Sequence, residues 1–468
     1  MAFSNPFFIF LFLPLCIGVY FLANTKYRNA VLIAFSLIFY AWGEPVYIWL
    51  LLFVTCMNYL FGKLISFGNG SSPKFGLCFG LIMNIGLLAG AKYTGAFIEN
   101  INSLIETDIA VPSLHFPLGM SFFTFRAVSY LADCYSGKVK AERSFGSFLL
   151  YMTLFPITAQ GPVVRYESIA LQLHSRETSI VDFGEGLGRM TIGLAKKVLI
   201  ADQLGIIADE FLGSGTVENQ TVLGAWYGVI IFALQMYFDL SGYSDMAIGI
   251  GRIFGFNFNE NFSYPFVCRD ISDFWRRWFI SLSSFFREYV LSIPFFGRRR
   301  KLSGLIFAWL CMGIWHGASW NFLIWGLYFG VFLAAEMMIG RKSMKKLPPA
   351  VRHIYSKLVI LVGFCIFYFT DLADLGHCLK NMFFMGGVSV ADSLLTESIK
   401  SNAILIAVAV IGCFPVFESI RKRLMTCRDS KTYMTVHTVG TIAAIALIVI
   451  SGIILVNAPC RPFMYMQF

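Results

Sequence analysis

The chain has 468 residues, 57% of them apolar and only 14% charged, with a mean hydropathy of +0.68. Ordinary soluble domains carry about 25% charged residues, so the composition excludes a water-soluble fold and indicates a membrane protein with several spans. The net charge of +10 does not indicate nucleic acid, because the basic residues gather in short loops, as in a membrane protein with a positive-inside bias.

Long apolar runs recur without the strict alternation of barrel strands, so the expected class is all-α and polytopic. In chain order, candidate spans cover residues 7–22, 30–42, 46–61, 75–91, 118–134 and 198–211. Further ones cover 222–238, 304–314, 320–338, 356–369, 403–417 and 439–456. Asn5-Pro6 precedes the first run without a basic n-region, so that run reads as a retained span and not a cleavable signal. Several runs fall short of the ~20 residues an upright span needs, which suits tilted or broken helices around a polar cavity.

Loop charge sets the expected sidedness. Residues 100–117, 209–220 and 371–401 are poor in Lys and Arg and are assigned outside. Lys26/Arg28, Lys63/Lys74 and residues 138–143, 298–301, 341–357 and 421–431 are assigned to the cytoplasm. The apolar stretch 145–156 has basic residues on both flanks, with Arg165, Arg176, Arg189, Lys196 and Lys197 following it. A re-entrant hairpin there leaves about twelve crossings with both termini outside. In residues 273–289, Phe274, Trp278, Leu282, Phe285 and Tyr289 recur at helical spacing with Arg276, Arg277 and Arg287 between them. This predicts an amphipathic helix on the cytoplasmic interface. No internal repeat or soluble module interrupts residues 1–468, so a single membrane domain is expected, ending in an outer tail at 457–468.

Polar groups at membrane depth require explanation. Of the six His, His316 alone lies in a strongly apolar helical segment, followed one turn later by Trp320 and then by Asn321. An imidazole, with an ordinary pKa near ~6.5, suits either a general base or a structural hydrogen bond between helices. Asp239, Ser241 and Asp245 form a second cluster, fitting a pocket wall or a polar helix end. Arg165 follows the helix-breaking Gly161-Pro162 and could meet a carboxylate or phosphate. The eleven Cys include no C-x-x-C pair, so neither a disulfide framework nor a metal site is indicated. Nucleotide loops, nucleophile elbows and H-E-x-x-H are lacking, and Gly184-x-Gly186-x-Gly188 has the wrong spacing for a phosphate loop.

Five stretches, 117–125, 155–166, 237–255, 273–289 and 315–321, together resemble the membrane-bound O-acyltransferase family in order and spacing. The branch resembled contains the bacterial alginate O-acetylation and teichoic-acid D-alanylation proteins. The resemblance implies a ring of about 11–13 tilted helices around a central funnel, with re-entrant and interfacial helices. It also implies acyl transfer from a cytoplasmic thioester to an extracytoplasmic glycopolymer, with His316 on the family's catalytic histidine. Where the branch usually reads Trp-Arg-Arg-Trp-His, this chain reads Trp275-Arg276-Arg277-Trp278-Phe279, so a second histidine is missing. The ending Phe463-Met-Tyr465-Met-Gln-Phe468 is similar to the branch's F-x-Y-x-x-F, in which the tyrosine is an acyl-carrier candidate; an aromatic interface anchor is the alternative.

The expected function is therefore O-acetylation of a cell-envelope polysaccharide from the bacterial inner membrane. Acetyl-CoA is the donor, its phosphates met by Arg276, Arg277 and Arg287, and no tightly bound cofactor or metal is expected. The expected partners are an extracytoplasmic SGNH-type acetyltransferase, the polysaccharide acceptor and membrane lipids, with no nucleic acid. D-alanyl transfer from a carrier protein and glycan or lipid transport are the rival readings.

Overall fold

The computed structural model describes residues 2–111, 115–291, 301–416, 419, 430–457 and 461–464. Among the described residues every regular element is helical. Each of the twelve candidate spans coincides with a helix, from Phe8–Leu22 to Ser430–Asn457. Six helices among them are long and apolar enough to cross a membrane: Ile48–Phe67, Ser72–Ile105, Val222–Ile253, Trp320–Ile339, Pro349–Tyr368 and Thr438–Asn457. The pair Ser393–Ser401 and Ala403–Gly412, bent by 67°, makes a seventh if counted as one span. The others are shorter. Met120–Tyr135, at 16 residues, spans only about 24 Å at 1.5 Å per residue, less than the ~30 Å of a hydrocarbon core.

The chain forms two compact units. The first comprises residues 1–190, 243–260 and 465–468, and the second comprises 191–242 and 261–464.

In the first unit Phe3, Phe8, Phe12, Phe39 and Phe155 stack and cross edge to face, with centroids 4.8–6.4 Å apart. Much of the heavy phenylalanine content is thus packing. The apolar stretch predicted as a hairpin is two helices, Phe145–Thr153 and Phe155–Thr158, separated at Leu154. A break at depth orphans helix-end carbonyls. Fully buried Arg126 answers it, donating Nη1 to the Tyr151 carbonyl at 2.8 Å and Nη2 to that of Met152 at 2.9 Å. Asn58 and Asn84 exchange amide hydrogen bonds of 3.0 and 2.8 Å between two long helices, the side-chain pairing that joins helices in lipid. Gly186, dismissed as part of a phosphate loop, instead marks a helix crossing, since a Cβ there would meet the Gly249 carbonyl at 2.7 Å.

The loop before the broken pair is tied by Glu142. Its carboxylate accepts from the Tyr166 hydroxyl at 2.6 Å, the Ser144 N–H at 2.8 Å and His174 Nε2 at 2.8 Å. Burial pushes this carboxyl up, but the three donors outweigh it and hold it below the ordinary glutamate range. A carboxylate held low stabilises the fold above that range, and the stabilisation is lost as pH falls through the lowered value.

In the second unit the helices Lys301–His316 and Trp320–Ile339 run antiparallel in backbone contact. A Cβ on Gly313 would meet the Phe322 carbonyl at 2.4 Å, and one on Gly326 would meet the Trp309 carbonyl at 2.5 Å. Small residues at such a crossing permit the close approach.

Two outcomes follow for thermal unfolding of the purified protein. Glu142→Gln should lower the midpoint at neutral pH and converge with wild type in acid. Gly326→Leu should destabilise by about 1–3 kcal/mol, the usual cost of overpacking, at every pH tested.

Candidate functional site

The Gly313/Gly326 crossing sets the position of His316. The first helix ends at His316, residues 317–319 turn, and the second helix begins at Trp320. His316 is therefore the last helical residue before a break, almost wholly buried at 3% exposure. Aromatic rings surround it. Trp315 lies at 4.6 Å, Trp325 at 4.9 Å and Phe367 at 5.0 Å between centroids, the last two edge-on, with Phe322 at 5.9 Å. Such walls exclude water and leave room for few polar groups.

Asn321 is the polar neighbour the break supplies. It is fully buried and donates Nδ2 to the carbonyls of Ile366 and Phe367, each at 3.3 Å. Asn321 thereby holds the segment carrying Phe367, which packs on His316. Its Oδ1 accepts no hydrogen bond among the described residues, an acceptor left over in an apolar site. Trp320 corrects the expectation of a shared helical face. The turn at 317–319 interrupts the helix, and Trp320 stands 68% exposed.

The stretch 273–289 also differs from expectation. It is not one amphipathic helix but two short ones, Ile271–Trp275 and Ile280–Phe285, followed by a π-helical turn at Phe286–Val290. Phe279 interrupts it with φ +42°, in the left-handed region that costs a non-glycine residue about 1–3 kcal/mol. It is buried and stacked on Phe262 at 5.9 Å. Asn261 supports the turn, its carbonyl accepting from the Ile280 N–H at 2.8 Å and its Oδ1 from the Ser281 N–H at 3.1 Å. Of the five residues at helical spacing, Phe274, Trp278, Leu282 and Phe285 are buried and Tyr289 is half-buried. Trp275 packs on Trp309, Trp325 and Phe329 at 4.6–5.6 Å, and Trp278 on Phe364 at 5.4 Å. Glu336, which sequence reasoning missed, caps the first helix by accepting from the N–H groups of Ile271 at 2.7 Å and Ser272 at 2.9 Å.

The arginines divide. Arg277 is engaged internally, donating to Asp273 at 3.0 Å and to the Ser263 carbonyl at 3.3 Å. Arg276 and Arg287 are exposed. Arg165 is half-buried at the N-cap of the helix Tyr166–His174, its carbonyl accepting from the Ser168 hydroxyl at 2.8 Å.

Asp239 and Asp245 do not act as a pair. Six positions apart on a helix of about 3.6 residues per turn, they project differently and find different partners. Asp245 accepts from Arg189 Nε at 3.1 Å and Nη2 at 2.9 Å, and Arg189 also pairs with Glu260. Asp239 is buried against Lys197 at 2.6 Å, and the same lysine reaches Asp202 at 2.8 Å. Lys197 is only 2% exposed and serves an internal ion cluster. An isolated lysine inside an apolar run signals such a need, but its partners are 5 and 42 residues away. Ser241 is buried nearby in sequence, and its Oγ has no partner among the described residues. Tyr465 and residues 298–300 and 421–423 lie outside the described residues.

Residues 107–373 match MBOAT, the membrane-bound O-acyltransferase family. The chain is 35% identical over 428 residues to a probable alginate O-acetylase AlgI of Azotobacter vinelandii, covering 89% of this chain and 85% of that one. It is 32% identical over 430 residues to a peptidoglycan O-acetyltransferase of Helicobacter pylori, covering 83% and 81%. With a teichoic acid D-alanyltransferase of Bacillus subtilis it shares 26% identity over 307 residues, 60% of this chain and 77% of that one. The matched stretch contains His316, Asn321 and three of the six long apolar helices, and the chain belongs to the membrane-bound O-acyltransferase family as a multi-pass membrane acyltransferase.

Proposed function

We propose that the chain is an O-acetyltransferase of the bacterial inner membrane, with both termini extracytoplasmic, that exports acetyl groups from cytoplasmic acetyl-CoA to a cell-envelope polysaccharide. The observation that carries this reading is His316, a buried imidazole at a helix break inside an aromatic box. The names of the more similar relatives support an acetyl cargo, at 35% and 32% identity against 26% for the D-alanyl relative.

In the proposed reaction the Tyr465 hydroxyl attacks the thioester carbonyl. His316 takes the phenolic proton, because a phenol with an ordinary pKa near ~10 is a weak nucleophile without a base. The C–S bond breaks, the proton passes to the departing thiolate, and Tyr465 carries the acetyl ester. Asn321 Oδ1 offers an acceptor for a polar group of the reactants. Exposed Arg276 and Arg287 attract the donor's phosphates, while Arg277, already bonded to Asp273, maintains the turn. An extracytoplasmic SGNH-type partner moves the acetyl group from Tyr465 to the polysaccharide. The absence of the branch's second histidine at Phe279 leaves His316 as the base.

Purified protein incubated with labelled acetyl-CoA should acquire label on its C-terminal peptide. Tyr465→Phe should abolish that label, and His316→Ala should slow its appearance by about 10²–10⁴-fold, the usual contribution of a general base. Labelling from a phosphopantetheinyl carrier protein but not from acetyl-CoA would favour D-alanyl transfer. His316-dependent thioester hydrolysis without an adduct would retire the carrier role of Tyr465.

A further inference from the structure

We infer that the buried ion cluster of Lys197, Asp202 and Asp239 is the docking site for the chain's own C-terminal segment, and that these side chains position the tail. All the contacts that carry this lie within the second unit. Lys197 Nζ has three protons to place. It finds Asp239 Oδ1 at 2.6 Å, Asp202 Oδ1 at 2.8 Å and the Pro462 carbonyl at 3.4 Å. The other oxygen of Asp239 accepts the N–H of Met464 at 2.9 Å. Between these two tail contacts the ring of Phe463, fully buried, lies 4.5 Å from Lys197 Nζ, within reach of a cation–π attraction.

A mere brace between helices would need only the lysine and its carboxylates. Here the tail supplies the third acceptor to the lysine and a donor to the second oxygen of Asp239. With the tail withdrawn, both groups would lose these bonds inside a buried site, where an unmatched polar group is costly.

A second feature follows the same path. On the helix Asp202–Leu212, Asp202, Gly205 and Asp209 recur at three- and four-residue spacing and so share one face. Asp209 Oδ2 accepts from Arg461 Nη1 at 2.7 Å. A Cβ on Gly205 would come within 3.0 Å of Arg461 Nη1 and 2.6 Å of Gln235 Nε2, and Gln235 in turn reaches Met464 Sδ at 3.8 Å. The face is thus a bare track with a carboxylate at each end, and residues 461–464 lie along it. Arg461–Asp209 is partly exposed and adds little affinity; its role is register. Tyr465 follows Met464 directly, so the catalytic consequence of docking rests on the reading of Tyr465 as acyl carrier.

The test is carboxypeptidase trimming of the full-length protein in detergent, read by intact mass. Wild type should resist trimming into residues 461–464. Met464→Pro removes the N–H that Asp239 accepts, and Phe463→Ala removes the ring beneath Lys197; neither alters the cluster itself. The Met464→Pro tail should be trimmed about tenfold to a hundredfold faster, as expected when a hydrogen bond to a charged group is lost, and the Phe463→Ala tail should also be trimmed faster than wild type, through loss of the cation–π contact. Asp239→Asn should likewise release the tail. Wild-type trimming rates in both tail variants would overturn the proposal, as would an Asp239→Asn protein with a lowered melting temperature and a protected tail. Acetyl labelling separates the two readings. If trimming accelerates as expected while Tyr465→Phe remains fully active in polymer acetylation, the docking stands and the carrier role falls.

Discussion

A buried polar group in a membrane protein must find its partner inside the protein, and that constraint explains most of the specific structure here. Lys197 against Asp202 and Asp239, Arg126 on the carbonyls at a helix break, Asn58 with Asn84, and Glu336 at a helix N-terminus all answer it. Removing one member of a buried charged pair typically costs about 3–5 kcal/mol. Such groups therefore impose one arrangement on helices whose apolar surfaces would tolerate many.

Aromatic rings enclose His316, and the crossing at Gly313 and Gly326 brings two helix backbones close enough to build that box at the turn between them. Asn321, the first polar residue beyond the exposed Trp320, turns inward and ties the segment bearing Phe367. The same seven-residue stretch, 315–321, thus provides the imidazole, the turn and one wall of the site. Phe279 shows a related economy of placement. Its strained backbone conformation ends one helical turn and begins the next, so the aromatic side chains of residues 274–285 can pack against neighbouring helices instead of lying along a single stripe.

The class of the protein was legible from composition, because a chain with 14% charged residues has too little polar surface to face water. Helix positions were legible from apolar run length, and all twelve expected segments coincide with helices. His316 was legible too, as an isolated imidazole in an apolar run. Boundaries and breaks were less so. Periodicity cannot register a single left-handed residue such as Phe279, nor a turn such as 317–319 that contains only one glycine.

Partnership was the part hidden from sequence. Lys197 reads as one more basic residue beside Lys196, and Asp239 reads as half of a local pair with Asp245. Only the packing of distant segments shows that Asp239 meets Lys197 and the Met464 N–H while Asp245 meets Arg189. Composition and run length thus determined a polytopic helical membrane protein, since burial of apolar surface depends on the count and spacing of residues. The tertiary structure alone decided which polar groups satisfy one another, because hydrogen bonds and ion pairs act over a few ångströms and join residues that the chain separates by up to 265 positions.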